Sequence, residues 1–119
     1  MSDPPAKYLV LVPLQYNNGD PVSPETILDF KEELFLLAGG YSIPDGTVEG
    51  AYKMNDGKKQ IDHSLQFWVV LPKSQYAELE SVVVQLGKKL GQESMYLEEI
   101  HSAVRFVSCL PVDSEKVKS

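Results

Sequence analysis

Hydrophobic residues recur along the chain with two periods, about 2 and about 3.6 residues, and the changes between them outline its elements. Alternation over Lys7 to Tyr16 predicts a first strand, and apolar side chains on both of its faces indicate a central place in a sheet. A helical period then begins at Ser23-Pro24-Glu25, where a capping serine precedes a proline that needs no hydrogen-bond acceptor. The pattern predicts a helix from Pro24 to Ala38 that stops at Gly39-Gly40.

Two alternating segments joined by a tight turn follow the first helix. Thr47 to Met54 and Gln60 to Leu71 are predicted to form a hairpin, because Asn55-Asp56-Gly57-Lys58 between them tolerates the positive φ angles of a sharp reversal. On the longer strand the odd-numbered side chains are predicted to face the core. The other face is then left to Asp62, Ser64, Gln66 and Trp68.

A second helical period extends from Gln75 to Leu90 and stops at Gly91. Met95 to Ile100 is then predicted to be a strand, and Ala103 to Val107 has the composition of one more short strand. The resulting order predicts an α+β fold of the ferredoxin-like split βαβ type (β-α-β-β-α-β). It has an antiparallel sheet of four or five strands and two helices on one face.

The length of 119 residues is that of one domain. We expect a single α+β domain over residues 7–107, a disordered N-terminus over residues 1–6 and a flexible C-terminal tail over residues 108–119.

Some apolar residues fall outside the predicted core. The sheet face without helices carries Leu9, Leu11 and Trp68, and the first helix carries Leu28, Phe35 and Leu36 off its main stripe. Single exposed apolar residues are common on folded proteins, so those on the helix can simply be exposed, or they can form a second contact surface with another subunit. We predict a homo-oligomer, most simply a dimer, that buries the open sheet face.

The charge balance excludes several classes of partner. There are 11 Lys and Arg residues against 17 Asp and Glu, a formal charge of -6, and no basic cluster is longer than a pair, so a nucleic-acid surface is not expected. No apolar run approaches the roughly 20 residues of a membrane span. The single cysteine, Cys109, cannot form an intramolecular disulfide, which favours a reducing, cytoplasmic location.

Short motifs in the middle of the chain form one pattern: Gly39-Gly40-Tyr41-Ser42, Gly50-Ala51-Tyr52, Asp56-Gly57-Lys58, Asp62 and Leu90-Gly91-Gln92-Glu93. This pattern resembles that of a group of small uncharacterised bacterial and phage proteins, in which Trp is usual at the position of Tyr52 and Glu at that of Asp62. The resemblance implies an α+β fold and no particular activity. Its shared positions imply a ligand site built from Tyr41, Tyr52, Asp62, Gln92 and Glu93, together with Gly40 and Gly50.

The chemistry of these residues leaves two functional classes open. Gln92 and Glu93 can line a small-ligand site, or they can satisfy backbone groups at the end of the second helix. No spacing typical of a metal site organises the histidines, carboxylates and Cys109, and Gly39-Gly40 ends a helix rather than beginning one, so neither a metal nor a cofactor is predicted. The main prediction is therefore a non-catalytic module that binds a small ligand or a protein and oligomerises through its open sheet face. The alternative is a small enzyme that uses Asp62 or Glu93 as general base beside Tyr52.

Overall fold

The structure, a computed structural model, describes residues 3–111. Its elements are β1 (Pro5–Pro13), α1 (Pro24–Ala38), β2 (Val48–Lys53), β3 (Lys59–Pro72), a 3-10 turn (Lys73–Gln75), α2 (Tyr76–Leu90) and β4 (Tyr96–Ile100). The four strands form an antiparallel sheet in the order β2-β3-β1-β4. The predicted α+β class is confirmed.

Helix α1 has the bounds that its sequence predicts, because both of its ends are capped locally. The Ser23 hydroxyl accepts a hydrogen bond from the backbone N–H of Glu25 at 3.2 Å. At the other end Gly39 adopts a left-handed conformation, φ 81°, and its N–H donates to the carbonyl of Phe35 at 2.8 Å. Helix α2 ends in the same way at Gly91, whose φ is 67°.

The core lies between the two helices and one face of the sheet. Val10 and Phe67 are register partners on the central strands β1 and β3, and both are fully buried. The Phe30 ring of α1 meets the Phe67 ring edge to face, with centroids 5.0 Å apart. Ile61 and His63 lie on the same side of β3 by alternation but are exposed, because the core ends at Leu65.

The N-terminal boundary differs from the prediction. Strand β1 begins at Pro5 rather than Lys7, and the side chain of Ala6 is buried opposite Leu71. Residues 5 and 6, assigned from the sequence to a disordered N-terminus, are therefore part of the sheet. Residues 1–2 and 112–119, which belong to the predicted terminal segments, lie outside the described residues.

The short fifth strand predicted at Ala103 to Val107 does not form. After β4 the chain makes a turn, with the N–H of Ser102 donating to the carbonyl of Ile100 at 3.0 Å. Residues 103–107 therefore pair with no strand in the described part of the chain. Neither α1 nor α2 has the length and apolar character that crossing a bilayer requires.

Candidate functional site

A cavity of about 310 Å³ opens on the sheet face that the helices leave uncovered. Its floor is formed by even-numbered residues of β3, and one wall is the segment 92–96 between α2 and β4. The side chains that line it are mostly polar or aromatic: Tyr52, Lys53, Gln60, Asp62, Ser64, Gln92, Glu93, Ser94 and Tyr96. Leu11, Pro13, Met54 and Met95 complete the wall.

Asp62 is a buried carboxylate at this cavity, with only 9% of its surface exposed. The Gln60 side-chain amide donates a hydrogen bond to its Oδ1 at 3.3 Å. Across the β2–β3 pair, Asp62 lies opposite Gly50, so nothing larger than a hydrogen projects from the neighbouring strand at that register position. Among the described residues this long hydrogen bond is the one that the carboxylate makes, so it has oxygen lone pairs left to bind a ligand in the cavity.

Tyr52 lies across this gap in β2. A Cβ atom added to Gly50 would be 2.6 Å from the Tyr52 hydroxyl oxygen and 2.8 Å from two of its ring carbons. The phenol ring therefore lies along the surface of the strand, over Gly50, rather than projecting perpendicular to the sheet. The strand register consequently places the aromatic face beside the Asp62 position.

Gln92 and Glu93 have different roles at the end of α2. The Gln92 amide nitrogen donates to Asn17 Oδ1 at 3.3 Å, and Asn17 Nδ2 donates to the Gly91 carbonyl at 3.3 Å. These two hydrogen bonds connect the loop after β1 to the cavity wall. The helix itself is capped by backbone groups, since the Gln92 N–H bonds to the Gly87 carbonyl at 2.9 Å. The Glu93 carboxylate makes no hydrogen bond or ion pair within residues 3–111, and it is exposed at the rim.

Tyr96 closes the cavity from β4, where it pairs with Leu11 of β1. Its hydroxyl donates to Glu98 Oε1 at 2.8 Å. This hydrogen bond raises the pKa of Tyr96, with smaller contributions from desolvation and from the nearby Glu98 and Tyr52. The phenol proton therefore points to Glu98.

Met95, next to Tyr96, is held by an unusual contact with α2. A Cβ atom at Gly87 would be 2.8 Å from the Met95 Cγ, so the helix carries a glycine where the methionine packs. Glycine inside a helix costs about 1 kcal/mol relative to alanine. Here the glycine makes room for the cavity wall, a role that the helical period of the sequence does not reveal.

Four of the five residues predicted for the site line this one cavity: Tyr52, Asp62, Gln92 and Glu93. Tyr41 does not. The backbone of Ser42 pairs with that of Trp68 on β3, and the Tyr41 ring lies partly exposed beside the core, 6.0 Å from the Phe67 ring. Gly40 and Gly50 are likewise not among the lining residues.

The sequence interpretation missed Gln60, Ser64 and Tyr96 as site residues. The first two could have been found from strand alternation, because they share the Asp62 face of β3. In the described part of the chain, no group of three or more His, Cys, Asp or Glu side chains is arranged to hold a metal ion.

Comparisons with known proteins give a structural match and no sequence match. No family model matches the chain, and no curated protein is significantly similar to it in sequence. Its fold is similar to that of a phage SAM lyase solved in complex with S-methyl-5'-thioadenosine, with a TM-score of 0.65 and 16% identity. The match covers 84% of this chain and 83% of the lyase chain.

This likeness corrects the main functional prediction from the sequence. The non-catalytic binding or assembly module is wrong as the main interpretation, because the similar solved structure is that of an enzyme with a small molecule bound. The alternative prediction, a small enzyme that uses carboxylates beside Tyr52, agrees better with the finding and is developed below.

Proposed function

We propose that this protein is a small lyase that binds a nucleoside sulfonium of the S-adenosylmethionine type in the open-face cavity and releases a thioether nucleoside. The observation that carries the proposal is the convergence of two carboxylates, Asp62 and Glu93, and two tyrosines, Tyr52 and Tyr96, on one cavity. The similar lyase fold, solved with S-methyl-5'-thioadenosine, supplies the substrate class.

With two carboxylates, Asp62 and Glu93, against one lysine, Lys53, the lining suits a ligand that is cationic at one point and largely aromatic elsewhere. Carboxylates attract a sulfonium cation, and the face of a tyrosine ring attracts it through the ring quadrupole. Met54, Met95 and Leu11 supply apolar contacts for a nucleoside base. The volume of about 310 Å³ lies at the lower end of the usual range for small-molecule sites, about 300 to 1,000 Å³.

The chemistry that we propose breaks one carbon–sulfur bond of the sulfonium, and the bonding electron pair passes to sulfur, which becomes a neutral thioether. In an elimination, the carbon adjacent to the broken bond loses a proton, and a new carbon–carbon double bond forms. Asp62 accepts that proton as general base, held in place by the Gln60 amide. Glu93, free at the rim, attracts the incoming cation.

We also propose a fold topology and a cellular location for this protein. The element order and the β2-β3-β1-β4 antiparallel sheet support a ferredoxin-like split βαβ topology. We extend the proposed activity to the small bacterial and phage proteins that share the motif pattern. The reducing cytoplasm remains our proposed location, on the argument from the single cysteine.

The proposal is tested directly by incubating the protein with S-adenosylmethionine and measuring, by chromatography, the S-methyl-5'-thioadenosine that forms. We expect the wild-type chain to release the thioether and Asp62→Asn to do so at least about 100-fold more slowly, the usual effect of removing a general base. Thermal melts report binding separately, since a ligand at 100 times its Kd stabilises the folded state by about 2.7 kcal/mol. Asp62→Asn without ligand should melt at an unchanged or slightly higher temperature.

Asp29→Asn is the matched control, because it makes the same chemical change on the exposed surface of α1, on the helix side of the sheet. It should leave both product release and ligand response unchanged. The proposal is wrong if neither S-adenosylmethionine nor S-methyl-5'-thioadenosine raises the melting temperature and no product forms. A sharp loss of stability in both Asp62→Asn and Glu93→Gln would instead give these carboxylates a structural role.

A further inference from the structure

The chain beyond β4 forms an extended arm, residues 103–111, that the core does not use. Phe106, Val107 and Leu110 are 79%, 80% and 78% exposed. The hydrogen bonds that the arm makes with described residues are local, such as that from the Leu110 N–H to Ser108 Oγ at 3.3 Å. Three large apolar side chains in nine residues would be costly to leave in water, which indicates a surface that covers them.

A second apolar patch lies on the outward face of α1. Leu28, Phe35 and Leu36 are 64%, 53% and 75% exposed. At 100° per residue they fall within one arc, opposite the buried stripe of Ile27, Phe30 and Leu34. We call these three residues the α1 patch. They are too close together to be scattered exposed residues, and the helix needs none of them for its own packing on the sheet.

The arm and the α1 patch do not meet within one chain. Residues 102–105, the root of the arm, border a cleft whose other lining residues come from the open sheet face and from the segment after α1: Lys7, Trp68, Val70, Ser42, Ile43 and Pro44. The α1 patch faces outward from the helix layer on the opposite side. Phe106, Val107 and Leu110 and the three residues of the α1 patch are all exposed within the one chain, so neither surface covers the other there.

The charges of the two surfaces are complementary. Arg105 is the charged residue of segment 103–111, and it is cationic. Helix α1 carries Glu25, Asp29, Glu32 and Glu33 against one Lys31, a net charge of -3. Glu32 is exposed, and helical spacing places it between Leu28 and Leu36. An apolar segment with one cation therefore fits an apolar patch with acidic neighbours.

We propose that the arm of one copy docks on the α1 patch of a second copy of this chain. The contact joins two different surfaces, the arm and the α1 patch. It can therefore form twice in a dimer, with each arm on the other copy, or once between successive copies in a closed ring. It does not depend on the activity proposed above, because none of the cavity residues takes part.

The single cysteine, exposed in the arm, makes a direct test available. Leu36→Cys places a second thiol in the α1 patch, and Gln66→Cys places one on the open face of the sheet. After mild oxidation of the full chain, we expect Leu36→Cys to give a disulfide-linked band of doubled mass at least about tenfold stronger than either Gln66→Cys or the wild type. Adding Cys109→Ser to Leu36→Cys should abolish the band.

Light scattering supplies the second measurement. The wild-type chain should have a mass above that of one chain at micromolar concentration, and Phe106→Asp should raise the dissociation constant at least about tenfold without changing the melting curve of the monomer. A wild-type mass of one chain at all concentrations overturns the proposal. So does cross-linking through Gln66→Cys instead of Leu36→Cys, which would place the arm on the open sheet face.

Discussion

Gly50 does not line the cavity itself, but it leaves the space in which the lining residue Tyr52 lies. The Tyr52 ring occupies the space of its missing side chain, and Asp62 lies opposite it on β3. A glycine inside a strand weakens the strand, so its presence here reflects the close approach of the ring. The sequence pattern contains Gly50 and Tyr52 in one motif, and the structure shows the physical link between them, since the glycine makes room for the ring.

Gly50→Ala should displace the Tyr52 ring and leave the fold intact. The added methyl group meets the far end of a flexible side chain, which can rotate away, and alanine suits a strand at least as well as glycine. We expect ligand binding to weaken at least tenfold, with a melting temperature that is unchanged or higher. Calorimetry with S-methyl-5'-thioadenosine measures the affinity, and thermal denaturation measures the melting temperature. Equal affinity in the variant would show that the position of the ring does not matter.

Tyr8 carries a hydroxyl that is buried and finds no hydrogen-bond partner within residues 3–111. An unsatisfied buried hydroxyl costs about 1 to 3 kcal/mol. Tyr8→Phe removes it and keeps the ring, which packs against the Tyr76 ring at 5.6 Å, so the free energy of unfolding should rise by about 1 kcal/mol. Denaturant titration of the two proteins at neutral pH measures the difference.

The same substitution should change the alkaline limb of the stability profile. Burial, followed by the nearby Glu99, raises the pKa of Tyr8 above its ordinary value of 10.0. Above pH 10 the unfolded chain therefore loses this proton before the folded chain does, and the free energy of unfolding falls as pH rises. Tyr8→Phe lacks this contribution, so its advantage over wild type should widen above pH 10. A constant difference across that range would contradict burial of the hydroxyl.

At the scale of elements, the sequence is most reliable where a signal is local. Ser23-Pro24 and Gly39 bound α1 because a cap depends on a few adjacent residues. The segment 103–107 has strand-like composition and still forms no strand, since a strand needs a partner that local sequence does not supply. The prediction for Tyr41 is wrong for the same reason: its motif groups it with the site residues, whereas the Ser42–Trp68 pairing places its ring near Phe67 and away from the residues that line the cavity.

The assignment of faces on β3 can be tested at Phe67. This ring is fully buried between Phe30 of α1 and Tyr41. Phe67→Ala should lower the free energy of unfolding by about 3 to 5 kcal/mol, because it removes a large core side chain and leaves a cavity. Gln66→Ala, on the other face of the same strand, is the control and should cost far less. A loss below about 1 kcal/mol for Phe67→Ala would mean that the faces are reversed.

The whole molecule is longer than a domain of its size should be. The described residues measure 67 by 26 by 21 Å and have a radius of gyration of 18.0 Å, whereas a compact domain of this length has one of roughly 13 Å. The apolar core ends near Leu97, and the arm contributes nothing to it. The arm adds to this length, as does the 14-residue strand β3, and folding should not depend on the arm.

A chain ending at Ser102 should fold as well as one ending at Pro111. Both keep every element and the whole core, so their free energies of unfolding, measured on dilute monomers, should agree within about 0.5 kcal/mol. The radius of gyration from small-angle scattering should fall from near 18.0 Å toward the compact value when the arm is removed. If the shorter chain lost more than about 2 kcal/mol, the arm would be part of the folding unit, and its exposed side chains would not be free to reach a second copy.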